Sequence, residues 1–533
     1  MNQQIVARMV ELGMTPVLPS FTGFVPSTIS RVLPNASVVN GSQWEGFPAE
    51  YTDDSFLEPT DPNFVILQKS FVAKQQAAYG KISHIYTLDQ YNENNPSSSD
   101  PDYLRNISYS TWQSLKAADP EAIWMMQGWL FFANSGFWTE SLIEAWFSGV
   151  EVNSDMIVLD LFSESQPQWQ STNSYYGKPW IWCQLHDYGG NMGLYGQIQN
   201  ITINPIEALA SSSSLVGFGL TMEGQEQENQ IVYDLLLDQA WSATPIDTEQ
   251  YFEDWVTTRY SGSNAVPQGL YNAWETMRTT VYNNTNLASS AVTKSIFGLE
   301  PSDSGLTDRT GHHPTTLNYD TTVLVQAWQS FYGATAENIL LWENPVYLYD
   351  LVDITRQVFA NEFITLYTDF VDIYTGPSPS GSALASAGRN LIALLNTLDL
   401  ILSTNENFQL AAWIDRATAW AEGNASNSVF YDYDARNQIT LWGPNGQISD
   451  YASKDWSGLV STYYVPRWQI FVDYLQATPA ASYNATALHG ELLDFELKWQ
   501  DDTAYVKLRR DTTADLKAVL SQAQQDWPSV FAI

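Results

Sequence analysis

Six short apolar runs, separated by helical patterns, fill about the first 240 residues of the chain. They are "TPVLP", "HIYTLDQ", "AIWMMQGW", "MIVLDLF", "WIWCQLH" and "LVGFGLTME". Such runs read as buried strands, and the stretch "DPNFVILQKSFVAKQQAAYG" between two of them reads as a helix. In that helix Phe64, Leu67 and Phe71 are expected to share one face, with Gly80 as its stop. Strand–helix alternation with near-continuous apolar strands means a parallel sheet covered by helices. A closed (β/α)8 barrel needs eight strands, so the expectation is an α/β TIM-type barrel with about six of the eight present.

From about Asp247 onward the pattern changes. "DTEQYFEDWVTTRYSG", "YLYDLVDITRQVFANEFITLYTDFVDIY", "NLIALLNTLDLILS", "FQLAAWIDRATAWAE" and "TADLKAVLSQAQQDW" carry helical apolar stripes with almost no strand signal. "YTGPSPSGSALAS" reads as a loop between two of these helices. The expected organisation is a partial TIM-barrel domain over residues 1–245 and an all-helical C-terminal domain over 246–533.

Composition narrows the function. The 533 residues carry a net charge of −36, which repels phosphate backbones and anionic bilayers. Neither nucleic acid nor membrane is therefore expected as a partner, and no apolar run is long enough to span a bilayer. The lone Cys183 cannot form an internal disulfide and reads as a packed residue. The histidines (His84, His186, His312, His313, His489) show no metal-ligand spacing, so neither metal nor cofactor is expected. The 21 Trp and 29 Tyr suit sugar-binding platforms, although large cores account for most of them.

Seven N-x-S/T sequons begin at Asn35, Asn40, Asn106, Asn200, Asn283, Asn424 and Asn484. With the acidity they lean toward a secreted or lysosomal/vacuolar protein. The N-terminal stretch "MNQQIVARMVELGMTPVLP" has amphipathic-helix spacing rather than that of a signal peptide.

In a barrel the C-terminal strand ends form the active face. Those ends supply Glu93 in "YNENNP", Trp129, Asp160 and Glu164 in "LDLFSES", His186, and Glu223 in "TMEG". Two carboxylates among aromatic rings suit glycosidic-bond hydrolysis, in which one carboxylic acid protonates the leaving oxygen and a second carboxylate attacks the anomeric carbon or activates water. Two pairs compete, Glu93 with Glu223 and Asp160 with Glu164. Position after an apolar strand favours the first, because Glu164 reads equally as a solvated first-turn or capping residue.

The motifs "ELGMTPVLPSF", "HIYTLDQYNENNP", "MMQGWLF", "LDLFSESQP", "IWCQLHDYGGNMGLYG", "MEGQEQENQIVYDLLLDQAW", "VDITRQ" and "ITLWGPNGQISDYASKDWSGLVSTYYVPRW" run in order through nearly the whole chain. They resemble the alpha-N-acetylglucosaminidases of glycoside hydrolase family 89. The resemblance implies a (β/α)8-type catalytic domain followed by an all-helical domain. It also implies exo-hydrolysis, with retention, of terminal non-reducing α-linked N-acetylglucosamine from glycans or glycoconjugates.

By the same resemblance Glu93 matches the general acid/base, Glu223 the nucleophile and Asn92 a sugar-contacting amide. Trp44 and Trp129 match aromatic walls of the pocket, and Trp442, Ile448 and Tyr451 match residues that close it from the side. His186 and Asn191 fall in a family motif that lines or braces the site. A retaining pair implies carboxyl groups about 5–6 Å apart. Family members begin upstream with a small β-rich domain and the first barrel strands, whereas this chain starts within a helix, so two strands and a signal peptide are expected to lie before it. Animal members act on heparan sulfate, a polyanion, and an uncharged glycan suits the charge of −36 at least as well. Alternatives are an inactive truncated remnant or sugar-binding protein of the same fold, and a retaining glycosidase for another N-acetylhexosamine linkage. A homo-oligomer is compatible with all of these.

Overall fold

The computed structural model describes residues 2–44, 46–52, 54–224, 229–262, 265–311, 313–377, 380–502 and 514–533. His312, considered above for metal spacing, lies outside them, as does the "QEQE" portion of "MEGQEQEN". Two compact units are present: Met1–Leu185 with Ile203–Thr221, and His186–Thr202 with Met222–Ile533.

The first unit is built on six parallel strands: β1 (Leu18–Pro19), β4 (Ile85–Thr87), β5 (Ile123–Gln127), β6 (Met156–Asp160), β7 (Trp180–Gln184) and β8 (Leu215–Leu220), hydrogen-bonded in that order. All six coincide with the apolar runs, and each is shorter than its run. The strands alternate in burial: Trp124 and Met126 on β5, then Met156, Val158 and Asp160 on β6, face inward. A small antiparallel pair, β2 (Val38–Asn40) with β3 (Ser55–Leu57), was not legible as strand signal.

The helix Pro62–Tyr79 starts at an Asp61 N-cap and ends at Gly80, whose φ of 84° suits glycine. Its buried residues are Phe64, Gln68, Val72 and Gln75. The expected Phe64–Leu67–Phe71 face is thus displaced, and Phe71 is exposed. The reason is polar. Gln68 Oε1 accepts the Phe21 N–H at 2.9 Å, its Nε2 donates to Phe21 O at 3.3 Å, and Gln75 Nε2 donates to Pro19 O at 2.8 Å. Two glutamines on the buried face thus satisfy backbone at the edge strand β1, a use that apolar periodicity does not reveal.

Most of the aromatic excess is core. Trp124, Trp146, Trp180 and Trp182 in the first unit are essentially fully buried, as are Trp456, Trp468 and Trp499 in the second. Trp146 meets Trp124 and Trp138 edge-on at 5.7 and 5.8 Å. Cys183 is buried as well, and burial pushes its thiol well above the ordinary range.

The second unit is helical. Its longest helix, Pro345–Thr375, begins at an Asn344 cap, and the next helix, Gly381–Leu402, begins at a Ser380 cap. Of the stretch read as a loop, "YT" ends the first of these helices and "GSALAS" begins the second, while Ser378 and Pro379 lie outside the described residues. Three arginines with no exposed side-chain surface are ion-paired: Arg356 to Asp353 and Asp455, Arg436 to Asp432, and Arg467 to Asp450 and Glu496. Buried charges persist only when paired. Here Asp450 and Asp455 lie on the segment 442–456, so the pairs pin that segment to the helices.

Candidate active site

Glu93 stands six residues beyond the end of β4, in a turn where its φ is 55°. A non-glycine residue rarely adopts that conformation. The side chain is half-buried, and both of its oxygens accept an indole N–H: Trp129 Nε1 at 2.7 Å on Oε1 and Trp44 Nε1 at 2.6 Å on Oε2. Trp129 is aimed by its position as the first residue of a short helix directly after β5 and Gly128. A Cβ on Gly128 would lie 2.8 Å from the Tyr175 hydroxyl and 3.1 Å from Leu159 O, so only glycine permits the approach. Trp44 lies beyond β2 and stacks on Phe47 at 5.4 Å. Its loop is tied to the Glu93 turn, because Asn94 Oδ1 accepts both the backbone N–H and the hydroxyl of Ser42 at 2.7 Å. Asn92, beside Glu93, is exposed.

The competing pair is buried. Asp160 has no exposed surface and accepts the Gln168 N–H at 3.0 Å, and burial pushes its carboxyl up to about 6. Glu164 is not solvated, as expected from sequence, but 2% exposed. Its two oxygens take the Leu185 N–H at 2.9 and 3.2 Å. A carboxylate on a backbone donor inside a core is fixed in place.

Glu223 belongs to the second unit and is exposed. Its Oε2 accepts the Gly189 N–H at 3.1 Å and the Tyr451 hydroxyl at 2.7 Å. Gly189 and Gly190, the "GG" of "HDYGGN", have φ of 66° and 72°. A Cβ on Gly189 would stand 2.9 Å from Tyr451 Cδ1. Tyr451 is held edge-on between Trp442 and His313, both at 4.9 Å. Ile448, half-buried in the same loop, accepts the Tyr451 N–H at 3.3 Å through its carbonyl. Trp442 and Asp450 adopt positive φ of 40° and 62°, and so does His186 at 67°.

His186 and Asn191 are 2% and 1% exposed and act as braces. Burial pushes the His186 imidazole down to about 3, so it is neutral, and Asn229 Nδ2 lies 3.0 Å from its Nε2. Asn191 donates from Nδ2 to Tyr188 O and accepts the Ser453 N–H at 3.2 Å. Sequence reasoning treated Tyr451 only as a wall and missed its bond to Glu223, along with Gly189, His313 and two buried lysines described below. The adjacent glycines after a strand were the available signal. Among the described residues no group of three or more His, Cys, Asp or Glu is placed to hold a metal, and no helix is long and apolar enough to cross a membrane.

Comparison with known proteins places the chain in a family. Residues 1–243 match the alpha-N-acetylglucosaminidase TIM-barrel domain, and residues 251–522 match the C-terminal domain of the same family. The chain belongs to the alpha-N-acetylglucosaminidase family. Within that family, human alpha-N-acetylglucosaminidase is 34% identical over 477 residues, covering 89% of this chain and 62% of the human protein. A family 89 glycoside hydrolase from Clostridium perfringens, solved with its substrate GlcNAc-alpha-1,4-galactose, superposes with a TM-score of 0.86 at 24% identity. The match covers 98% of this chain and 57% of that one. The same enzyme has been solved with 2-acetamido-1,2-dideoxynojirimycin, again with a TM-score of 0.86 at 24% identity and the same coverage. The chain therefore spans about three-fifths of these relatives, and the TIM-barrel and helical-domain fold is shared.

Proposed function

We propose that the protein is a retaining exo-glycosidase that releases terminal α-linked N-acetylglucosamine from glycans or glycoconjugates. The observation that carries the reading is that two glutamates just past strands are each held by hydrogen-bond donors: Glu93 by two indoles, and Glu223 by Tyr451 with a backbone N–H. Membership of the alpha-N-acetylglucosaminidase family and the substrate named for the Clostridium enzyme support the choice of sugar.

In the proposed reaction the Glu223 carboxylate attacks the anomeric carbon while Glu93, as carboxylic acid, protonates the departing oxygen. A covalent glycosyl ester on Glu223 results. Glu93, now a carboxylate, takes a proton from water as that water attacks the ester, and the sugar leaves with its original configuration. The Tyr451 hydroxyl and Gly189 N–H fix the attacking carboxylate. Trp44, Trp129, Trp442, Tyr451 and Ile448 serve as pocket walls and Asn92 as a polar contact, with His186 and Asn191 behind them. The domain boundary is placed near residue 245, and the compartment is a secretory or lysosomal one.

The test is hydrolysis of an aryl α-N-acetylglucosaminide, with NMR identification of the first-formed anomer. The α-anomer is expected. Glu223→Ala should reduce turnover by about 10⁴-fold or more, and azide should rescue it by forming the β-glycosyl azide. Release of the β-anomer first would refute the double displacement. Binding without turnover would favour a sugar-binding protein, and turnover of β-linked analogues alone would favour another linkage. A retaining carboxyl separation of about 5–6 Å in a crystal structure of a ligand complex is the geometric counterpart.

A further inference from the structure

Two lysines in the second unit are almost completely buried, Lys454 at 4% and Lys294 at 6% exposure. An ammonium group taken out of water is costly unless its donors are used. Both spend theirs on backbone carbonyls. Lys454 Nζ donates to Gly190 O and, at 3.2 Å, to Gly224 O. Lys294 Nζ donates to Asp450 O and, at 3.0 Å, to Tyr451 O.

The choice of carbonyls is informative. Glu223 is held by Gly189 and Tyr451, and the Lys454 acceptors are the residues that immediately follow Gly189 and Glu223. The Lys294 acceptors are Tyr451 itself and its predecessor. Each turn that meets at the Glu223 carboxylate is thus tied by a buried lysine. Packing leaves little slack: a Cβ on Gly190 would overlap both Gly224 O and Lys454 Nζ, and one on Gly224 would lie 3.0 Å from Gly189 O. Beneath, the Trp456 ring lies 5.6 Å from Lys454 Nζ. Nearby, Asp187 has no exposed surface and accepts the Asn191 N–H at 2.9 Å, and burial pushes its carboxyl up to about 8 against the pull of Lys454.

We propose that Lys454, seconded by Lys294, is a positioning residue for Glu223: its ammonium clamps the Gly189–Gly190 and Glu223–Gly224 turns at the spacing that aims the carboxylate. The proposal rests on the reading of Glu223 as nucleophile. An apolar side chain of the same length would fill the space but could not join the two carbonyls.

The 533-residue chain carrying Lys454→Met separates positioning from general support. Three quantities are measured: kcat/KM on an aryl α-N-acetylglucosaminide, affinity for neutral N-acetylglucosamine, and affinity for a cationic imino sugar of the same configuration. The imino sugar depends on the Glu223 carboxylate, whereas the neutral sugar rests mainly on the pocket walls. A misplaced carboxylate predicts a loss of about 10²-fold in kcat/KM. Imino-sugar affinity should fall in step, and neutral-sugar affinity should stay within about threefold. Equal loss of both affinities, or no loss of kcat/KM, would overturn the proposal. Should Lys454→Met not fold, Lys454→Arg, which keeps the charge but displaces the donors from the two carbonyls, is expected to give the same pattern and is read by the same criteria. The underlying reading fails separately: a parent chain with no turnover, or a Glu223→Gln variant with full turnover, removes the nucleophile and this role with it.

Discussion

Replacing Asp160 by Asn would remove a titrating group from a site with no exposed surface, at the last inward position of β6. Burial holds the Asp160 carboxyl at about 6, against 3.8 for the unperturbed group, opposed by the backbone donor at Gln168 and a longer one at Trp169. Between those two values the folded chain keeps a proton that the unfolded chain releases. The stabilisation from this group is thus full below pH 3.8 and is lost as the pH rises through 6. Integrating from pH 4 to pH 7 gives about 2 kcal/mol. Asn does not titrate, so Asp160→Asn should gain on the parent by about 2 kcal/mol over that interval. The hydrogen bond that Asn fails to reproduce is missing at both pH values and drops out of the comparison. Urea unfolding of parent and variant at the two pH values measures it, and a change in their difference below about 0.5 kcal/mol would refute the burial argument. The same variant tests the site. Turnover within about tenfold of the parent is expected, since a local rearrangement that shifts the barrier by up to about 1.4 kcal/mol changes the rate by no more than that. A folded variant without activity would restore Asp160 and Glu164 as the catalytic pair.

Tyr451→Phe deletes one of two hydrogen bonds on Glu223 while keeping the ring between Trp442 and His313. A bond to a charged group at about 1.5–3 kcal/mol corresponds to a fall in kcat of about 10–100-fold. Steady-state kinetics read the effect, and an unchanged kcat would show that Tyr451 serves as a wall alone. Gln68→Leu leaves the Phe21 N–H and C=O without their side-chain partners and should destabilise the first unit by about 2–4 kcal/mol in urea unfolding. A loss under about 1 kcal/mol would mean that water reaches the β1 edge.

The six parallel strands were legible because buried strands are written as contiguous apolar runs, bounded by Pro, Gly and Asn. Helix starts at Asp61 and Asp247 and the stop at Gly80 were equally local, since a cap needs only a side chain within reach of the next few backbone groups. What failed were faces and partners. The helix after Asp61 buries Gln68 and Gln75, which apolar periodicity counts as solvent-facing. The β2–β3 pair escaped because "VVN" and "SFL" each hold only two apolar residues and form no contiguous apolar run. Glu164 looked like a solvated first-turn residue because nothing near it in sequence reveals the Leu185 N–H it accepts.

The sequence by itself determined which residues could be catalytic: two glutamates just past apolar strands, with aromatic and amide neighbours in motifs of an alpha-N-acetylglucosaminidase. Those properties are local and need only the alternation of strand and turn. Only the tertiary structure decided what each glutamate is bound to. The Trp44 indole reaches Glu93 across 49 residues and the Tyr451 hydroxyl reaches Glu223 across 228. Likewise, nothing local in the sequence marks Lys454 and Lys294. Folding places them where water cannot satisfy their donors, and backbone carbonyls beside Glu223 must.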